Sequence, residues 1–255
     1  MKFENRTILI TGASTGIGKA IAQKLLQKSC NLVLTARRDN LINDYITETA
    51  NSLANVKIIK SDVSSKEDVK NAYHLAVSEY GKIDIAILNS GVGHTVTPDT
   101  FDSKYAENSM NVNFLGVIYW IEQFLPEMMK RKEGIIAPVS SLADNRGYSG
   151  SGFYCASKAA LSIFSEGLGV DMKKYGIKVL TIKPGFIKTP MTSKNKFKMP
   201  FLMSAEKSAD IIIRGIEKEK STIQFPFPTV LGAKLIGLIP SWFYRIIANK
   251  EIMNG

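Results

Sequence analysis

Six short apolar runs rich in β-branched residues punctuate the chain, at Thr7 to Thr11, Asn31 to Thr35, Val56 to Lys60, Ile83 to Asn89, Gly134 to Ser140 and Ile177 to Lys183. Between them lie longer segments whose apolar residues return every three or four positions, near 16–29, 39–53, 65–80, 101–131, 153–175 and 205–218. Near-continuous apolar runs suit strands buried on both faces, and each amphipathic segment is long enough to cross back over a parallel sheet. The alternation predicts an α/β fold: a doubly wound parallel sheet of six strands, or seven if Thr222 to Phe225 adds an edge, with helices on both faces. Ser64 followed by Glu67 has the spacing of a capping box for the third helix. No repeat, low-complexity tract or linker interrupts the pattern, so residues 1–225 are expected to form one domain.

Composition narrows the class. With 255 residues, 45% hydrophobic and 22% charged, the chain reads as an ordinary globular protein. Cys30 and Cys155 are too few for a disulfide framework and lack paired-ligand spacing, so a reducing compartment and no metal site are expected. The first residues lack the apolar core of a secretory leader and no stretch has the length of a membrane span, which together predict a cytoplasmic protein. The 33 basic against 23 acidic residues give +10, compatible with nucleic acid, anionic lipid or a phosphorylated small molecule. No basic helix with interleaved aromatics is present, so nucleic acid is not expected.

The chemistry starts after the first strand. Thr11-Gly12-Ala13-Ser14-Thr15-Gly16-Ile17-Gly18 runs straight into a helical segment, where glycines let backbone N–H groups approach a pyrophosphate at the helix start. Gly12, Ser14, Thr15, Gly16, Ile17 and Gly18 are therefore candidate cofactor residues. At the end of the second strand an NAD site places a carboxylate for the ribose hydroxyls, but here the chain reads Thr35-Ala36-Arg37-Arg38. A guanidinium pairs bidentately with a 2′-phosphate, so NADP(H) is preferred over NAD(H), with Arg37 the first candidate and Arg38 the second. Tyr154 and Lys158 stand four apart on one helical face, where an ammonium would draw a phenol down from its usual value of about 10 and fit it for proton exchange. Ser141 closes the fifth strand, and Ser140 beside it points to the opposite face.

The turn with three residues between its first two glycines, followed by Tyr154-Cys155-Ala156-Ser157-Lys158, resembles the short-chain dehydrogenase/reductase family. The resemblance spans residues 6 to about 190 and is carried in order by Gly12, Gly16, Gly18, Asp62, Asn89, Asn113, Ser141, Tyr154, Lys158 and Pro184-Gly185. It implies a Rossmann-type fold and hydride transfer between C4 of a nicotinamide and a carbonyl or alcohol substrate. Tyr154 would give the proton to oxygen during reduction, Ser141 would hydrogen-bond the same oxygen, Lys158 would also hold the nicotinamide ribose, and Asn113 would hold a water linking Lys158 to solvent. Asp62 and Val63 would meet the adenine. Asn89, Ser90 and Gly91 match the family's Asn-Asn-Ala-Gly, with Leu88 replacing its first Asn and removing one polar contact. Pro184, Gly185, Ile187 and Thr189 would follow the cofactor to its nicotinamide end.

Residues 188–204 fall where family members carry a substrate-covering loop, and its Met and Phe content suits an apolar, lipid-like substrate. Gly147, Tyr148 and Phe153 are further candidates for that pocket. Family members pair through their long helices, which implies a homodimer or homotetramer. The segment 226–255 is an apolar extension, with Leu231, Leu235, Leu238, Ile239, Trp242, Phe243, Ile246 and Ile247 around Pro240, interrupted by Lys234, Arg245 and Lys250. It is expected to pack on the domain, on an oligomer interface, or peripherally on a membrane surface. A nucleotide-binding sensor without turnover is the alternative on the same fold; the complete set of Ser141, Tyr154 and Lys158 favours an enzyme.

Overall fold

The computed structural model describes residues 2–49, 51–195 and 198–253. Its strands are β1 (Thr7–Thr11), β2 (Asn31–Ala36), β3 (Asn55–Lys60), β4 (Ile85–Leu88), β5 (Gly134–Pro138) and β6 (Ile177–Val179), hydrogen-bonded in the order β3-β2-β1-β4-β5-β6. All of these pairs are parallel, from Thr7 beside Asn31 to Gly134 beside Ile177. The helices α1 (Gly16–Leu25), α2 (Asn40–Thr47), α3 (Lys66–Tyr80), α4 (Ser103–Met110), α5 (Gly116–Arg131) and α6 (Gly152–Met172) supply the crossovers.

The pleat sorts the core into two layers. Ile8 and Ile10 of β1 join Ile21, Leu25 and Tyr45 on one face, whereas Leu9 between them joins Trp120, Phe124 and Leu161 on the other. Buried on both sides, β1 admits no polar face, which is why its sequence is a run and not an alternation. At the amino ends of the strands, the buried carboxylate of Asp84 accepts from the N–H of Thr7 at 3.0 Å and pairs with Arg6, Lys82 and Arg131 at 3.5, 3.1 and 3.2 Å. The opposite pole holds the cleft. There the chain leaves β3, crosses the sheet and returns as β4 on the far side of β1, opening a crevice at the carboxyl ends.

Three local expectations are corrected. The sixth run divides at Leu180. Its first half is β6, and its second half, β7 (Thr181–Pro184), pairs in parallel with β10 (Thr222–Phe225), the edge strand predicted from sequence. The N–H of Leu180 still donates to Ile136 and that of Ser140 to Ile182, so β7 stays beside the end of β5 while its other edge takes a new partner. The single helix expected over 101–131 contains a π-helical segment, Asn111–Leu115, joining α4 to α5; such wide turns fit one extra residue and often mark working parts of a protein. The cap of α3 is Ser65, whose Oγ accepts from the N–H of Asp68 at 3.2 Å. Ser64 is held instead by Asp62, whose Oδ1 accepts from its N–H and hydroxyl at 2.9 and 2.7 Å.

After β7 come β8 (Ile187–Lys188), β9 (Met203–Ser204) and α7 (Ala205–Glu217), which packs on α1. Beyond β10, α8 (Phe227–Leu238) and α9 (Ser241–Met253) fold back over the loop that follows Ser141. Arg146 Nε donates to the Ile236 carbonyl at 3.1 Å, Tyr244 Oη to the Gly147 carbonyl at 2.9 Å, and the Arg146 guanidinium lies 4.9 Å from the Tyr244 ring centre. Among the described residues no helix is long and apolar enough to cross a membrane. Lys196 and Phe197 of the 188–204 loop lie outside the described residues, as do the side chains of Lys194, Ile247 and Lys250.

Candidate active site

A cleft open to solvent runs along the carboxyl ends of the strands. Every catalytic and cofactor residue named from sequence lines it except Gly18 and Asn113, which support it from behind, whereas the substrate-pocket candidates Gly147, Tyr148 and Phe153 do not line it.

The glycine turn forms one end. Gly12 and Gly16 have φ of +66° and +60°, a region glycine enters without strain. A methyl group on Gly18 would stand 2.5 Å from the Gly12 carbonyl oxygen and 2.6 Å from Asn89 Nδ2. Asn89 closes the turn from β4: its Nδ2 donates to the carbonyls of Thr11 and Gly12 at 3.0 and 3.3 Å, while the N–H groups of Asn89 and Ser90 donate to Thr11 Oγ1 at 3.0 and 3.1 Å. One Asn thus performs this tethering without the polar residue that Leu88 replaces. The Thr15 side chain does not cap α1 and its first turn holds no acidic residue, so the helix-start N–H groups face the cleft with their partial positive charge.

At the other end Arg37 and Arg38 follow β2, and Ser61, Asp62 and Val63 follow β3. Arg37 Nη1 lies 3.7 Å from Asp62 Oδ2, an ion pair exposed enough to open. Ser61 was missed from sequence. It lines the cleft with a buried Oγ that finds no hydrogen-bond partner among the described residues, a group suited to a ligand contact. Together with the uncapped helix start and the glycine cradle, this orphan hydroxyl fits the residues to a dinucleotide.

In the middle of the cleft α6 carries Tyr154 and Lys158 beside Ser141. Lys158 is buried, and its Nζ donates to the Val139 carbonyl at 2.8 Å and lies 5.9 Å from the Tyr154 ring centre. Burial pulls this lysine down to about 8. Burial also pushes the Tyr154 phenol above its ordinary value, opposed by a hydrogen bond from Ser141. That direction reverses the sequence expectation, because desolvation outweighs any benefit from an ammonium aimed at a carbonyl. Ser141 Oγ accepts from the N–H of Ala143 at 3.1 Å, which fixes the hydroxyl at the start of a short turn. Ser140 faces the other way, donating to the Lys158 carbonyl at 2.9 Å.

Asn113, in the π-helical segment, is fully buried. Its Oδ1 accepts from the N–H of Val92 at 2.8 Å, and its Nδ2 donates to the Val92 carbonyl and to Ser157 Oγ, both at 2.9 Å. Ser157 donates onward to the Tyr154 carbonyl at 2.8 Å. Asn113 Oδ1 and Lys158 Nζ lie 3.4 and 3.5 Å from where a side chain on Gly91 would begin, so that glycine keeps a gap open between them.

Pro184, Gly185, Ile187 and Thr189 complete the wall after β7, with Thr189 resting on Gly16. Met191, part of the expected loop, reaches Gly93 from the same side as the Tyr154 ring, each 3.6 Å from where a Gly93 side chain would begin. Of the other pocket candidates, Phe153 lies tilted against Phe101 at 5.4 Å between ring centres, while the carbonyl of Gly147 accepts from Tyr244 of the tail.

Among curated proteins, 11-beta-hydroxysteroid dehydrogenase-like 2 of Arabidopsis thaliana is 36% identical over 99% of this chain and 80% of its own length. The 3-ketodihydrosphingosine reductase of Bacteroides thetaiotaomicron is 30% identical over 91% of this chain and 82% of its own. Among solved structures, a short-chain dehydrogenase/reductase from Burkholderia phymatum in complex with NAD superposes with a TM-score of 0.83 over 92% of this chain and 94% of its own, at 21% identity. A short-chain dehydrogenase from Sphingobium yanoikuyae in complex with NADPH superposes at 0.79 over 92% and 96%, at 22% identity. The family model for short chain dehydrogenases matches residues 6–199, from the start of β1 through the loop that borders Tyr154. A match over most of the chain, on the fold and around the cleft just described, makes this protein a member of the short-chain dehydrogenase/reductase family.

Proposed function

We propose that this oxidoreductase reduces the carbonyl group of an apolar, lipid-like substrate, or oxidises the matching alcohol, with NADP(H) preferred over NAD(H). The observation that carries the reading is the convergence of Ser141, Tyr154 and buried Lys158 on the centre of a cleft whose far end is a glycine turn. A bound nicotinamide supplies the hydride. The chain supplies the rest. Tyr154 Oη gives its proton to the substrate oxygen, and Ser141, with its oxygen already held by Ala143, keeps its own proton and donates a hydrogen bond to the same atom. Lys158 holds the cofactor ribose and, when charged, favours the phenolate left behind. The gap at Gly91 between Asn113 and Lys158 supports a water relay that returns the proton from solvent.

The NADP(H) preference rests on Ala36, which offers no carboxylate, and on Arg37 and Arg38 lining the ribose end. Asp62 and Val63 flank the adenine. An apolar substrate is supported by Met191 beside Tyr154, and by two relatives named as a 3-ketodihydrosphingosine reductase and an 11-beta-hydroxysteroid dehydrogenase-like protein. A homodimer or homotetramer is supported by Ile163 and Val170, which stand exposed on α6. A cytoplasmic location is supported by the two free cysteines, Cys30 and Cys155.

The test follows NADPH and NADH oxidation against aldehydes, quinones, steroids and 3-oxo lipids. Turnover that prefers NADPH and falls at least a hundredfold in Tyr154→Phe supports the reading. Tight NADPH binding with no turnover of any of them favours the sensor alternative.

A further inference from the structure

α8 is fixed to the body along one side. Val230 is buried, and the carbonyls of Ala233 and Ile236 accept from Asn145 and Arg146 of the loop after Ser141. The other side displays Phe227, Leu231, Leu235 and Leu238, spaced by four, four and three, with Phe227 and Leu238 as much as 76% and 81% exposed. α9 adds Trp242, Phe243 and Ile246, Trp242 being 67% exposed. Single exposed apolar residues are ordinary, but seven on two consecutive helices make a patch that calls for an occupant.

Charge identifies that occupant. The charged side chains described on these two helices are Lys234 of α8 and Arg245 of α9, both basic and both exposed. The tail starts beside the cleft wall: Gly185 packs against Pro226 and Thr229. A second copy meeting this surface across a two-fold axis would bring two sets of these cations together, which repels. Large apolar side chains on helices that also carry the exposed Lys234 and Arg245 match the boundary of an anionic bilayer, where the apolar face enters the headgroup region and these two cations meet lipid phosphates.

We propose that α8 and α9 form a membrane-docking surface that seats on anionic lipid and turns the mouth of the cleft, bordered by Met191, toward the bilayer. The inference stands on the tail and its charge, independent of the reaction assigned above, and its test needs no turnover.

The chain has two tryptophans, Trp120 fully buried and Trp242 on the patch, so emission changes on vesicle binding report the tail. Full-length protein is floated with vesicles of phosphatidylglycerol and phosphatidylcholine, or of phosphatidylcholine alone. The proposal expects flotation with the anionic vesicles, a blue shift of Trp242, and at least a tenfold loss of binding in 0.5 M salt. Leu235→Asp with Leu238→Asp, both at exposed positions, abolishes flotation while NADPH titration stays unchanged. Absence of flotation with anionic vesicles overturns the proposal, as does undiminished flotation of the double variant. A vesicle-free dimer in which Trp242 is shielded from iodide overturns it too, and assigns the patch to a second copy.

Discussion

The Nζ of Lys158 donates to the backbone carbonyl of Val139 at 2.8 Å, joining α6 to the end of β5 inside the protein. Burial brings this lysine to about 8, against an ordinary 10.5. Below pH 8 the folded chain keeps the proton despite burial. Between about 8 and 10.5 the folded lysine is neutral while the unfolded one stays charged, so the unfolded state binds more protons and stability rises with pH. The gain is on the order of 2–3 kcal/mol. Urea unfolding of the native chain and of Lys158→Met from pH 7 to 10.5 isolates it: the native chain should gain relative to the variant across this window, and a constant difference would refute the assignment.

Asn113→Ala removes three hydrogen bonds at once and strands the N–H and carbonyl of Val92. The expected cost is about 2–3 kcal/mol of stability, read as a lower urea midpoint. Because Ser157 continues from Asn113 to the Tyr154 carbonyl, kcat should fall as well. A variant with native stability would show that Val92 finds other partners.

Arg37→Ala should lower kcat/KM for NADPH at least tenfold, about 1.4 kcal/mol, and leave that for NADH within a factor of three. Arg38→Ala should do less. Equal losses with both cofactors would mean that Arg37 acts through its pairing with Asp62 and not on a 2′-phosphate.

Gly18→Ala places a methyl group 2.5 Å from the Gly12 carbonyl, which is backbone and cannot swing aside. The turn must open, so the Kd for NADPH should rise at least tenfold, measured by quenching of protein fluorescence. Gly147→Ala is the control: a methyl there meets nothing within 4 Å, and binding should be unchanged.

The parts legible in the sequence are those set by neighbours along the chain. Apolar runs at strand spacing placed β1 to β5 within a residue or two, because a strand buried on both faces must be apolar throughout. The glycine turn shows its purpose locally, since a left-handed φ and a close approach each exclude side chains at that very residue. The four-residue step from Tyr154 to Lys158 puts both on one helical face whatever surrounds them.

Partners far apart in sequence decided the rest. Lys158 meets a carbonyl of β5, Asn113 ties Val92 to Ser157, and Arg37 turns to Asp62. The division at Leu180 follows from β10, more than 40 residues later, taking the free edge of β7. Protonation belongs with these. The sequence set a lysine near a tyrosine and so implied a lowered phenol; only the packed interior, by removing water from both groups, reversed that direction. Spacing along a chain is fixed by covalent geometry, whereas desolvation is a property of everything that surrounds a group, and that exists only once the chain has folded.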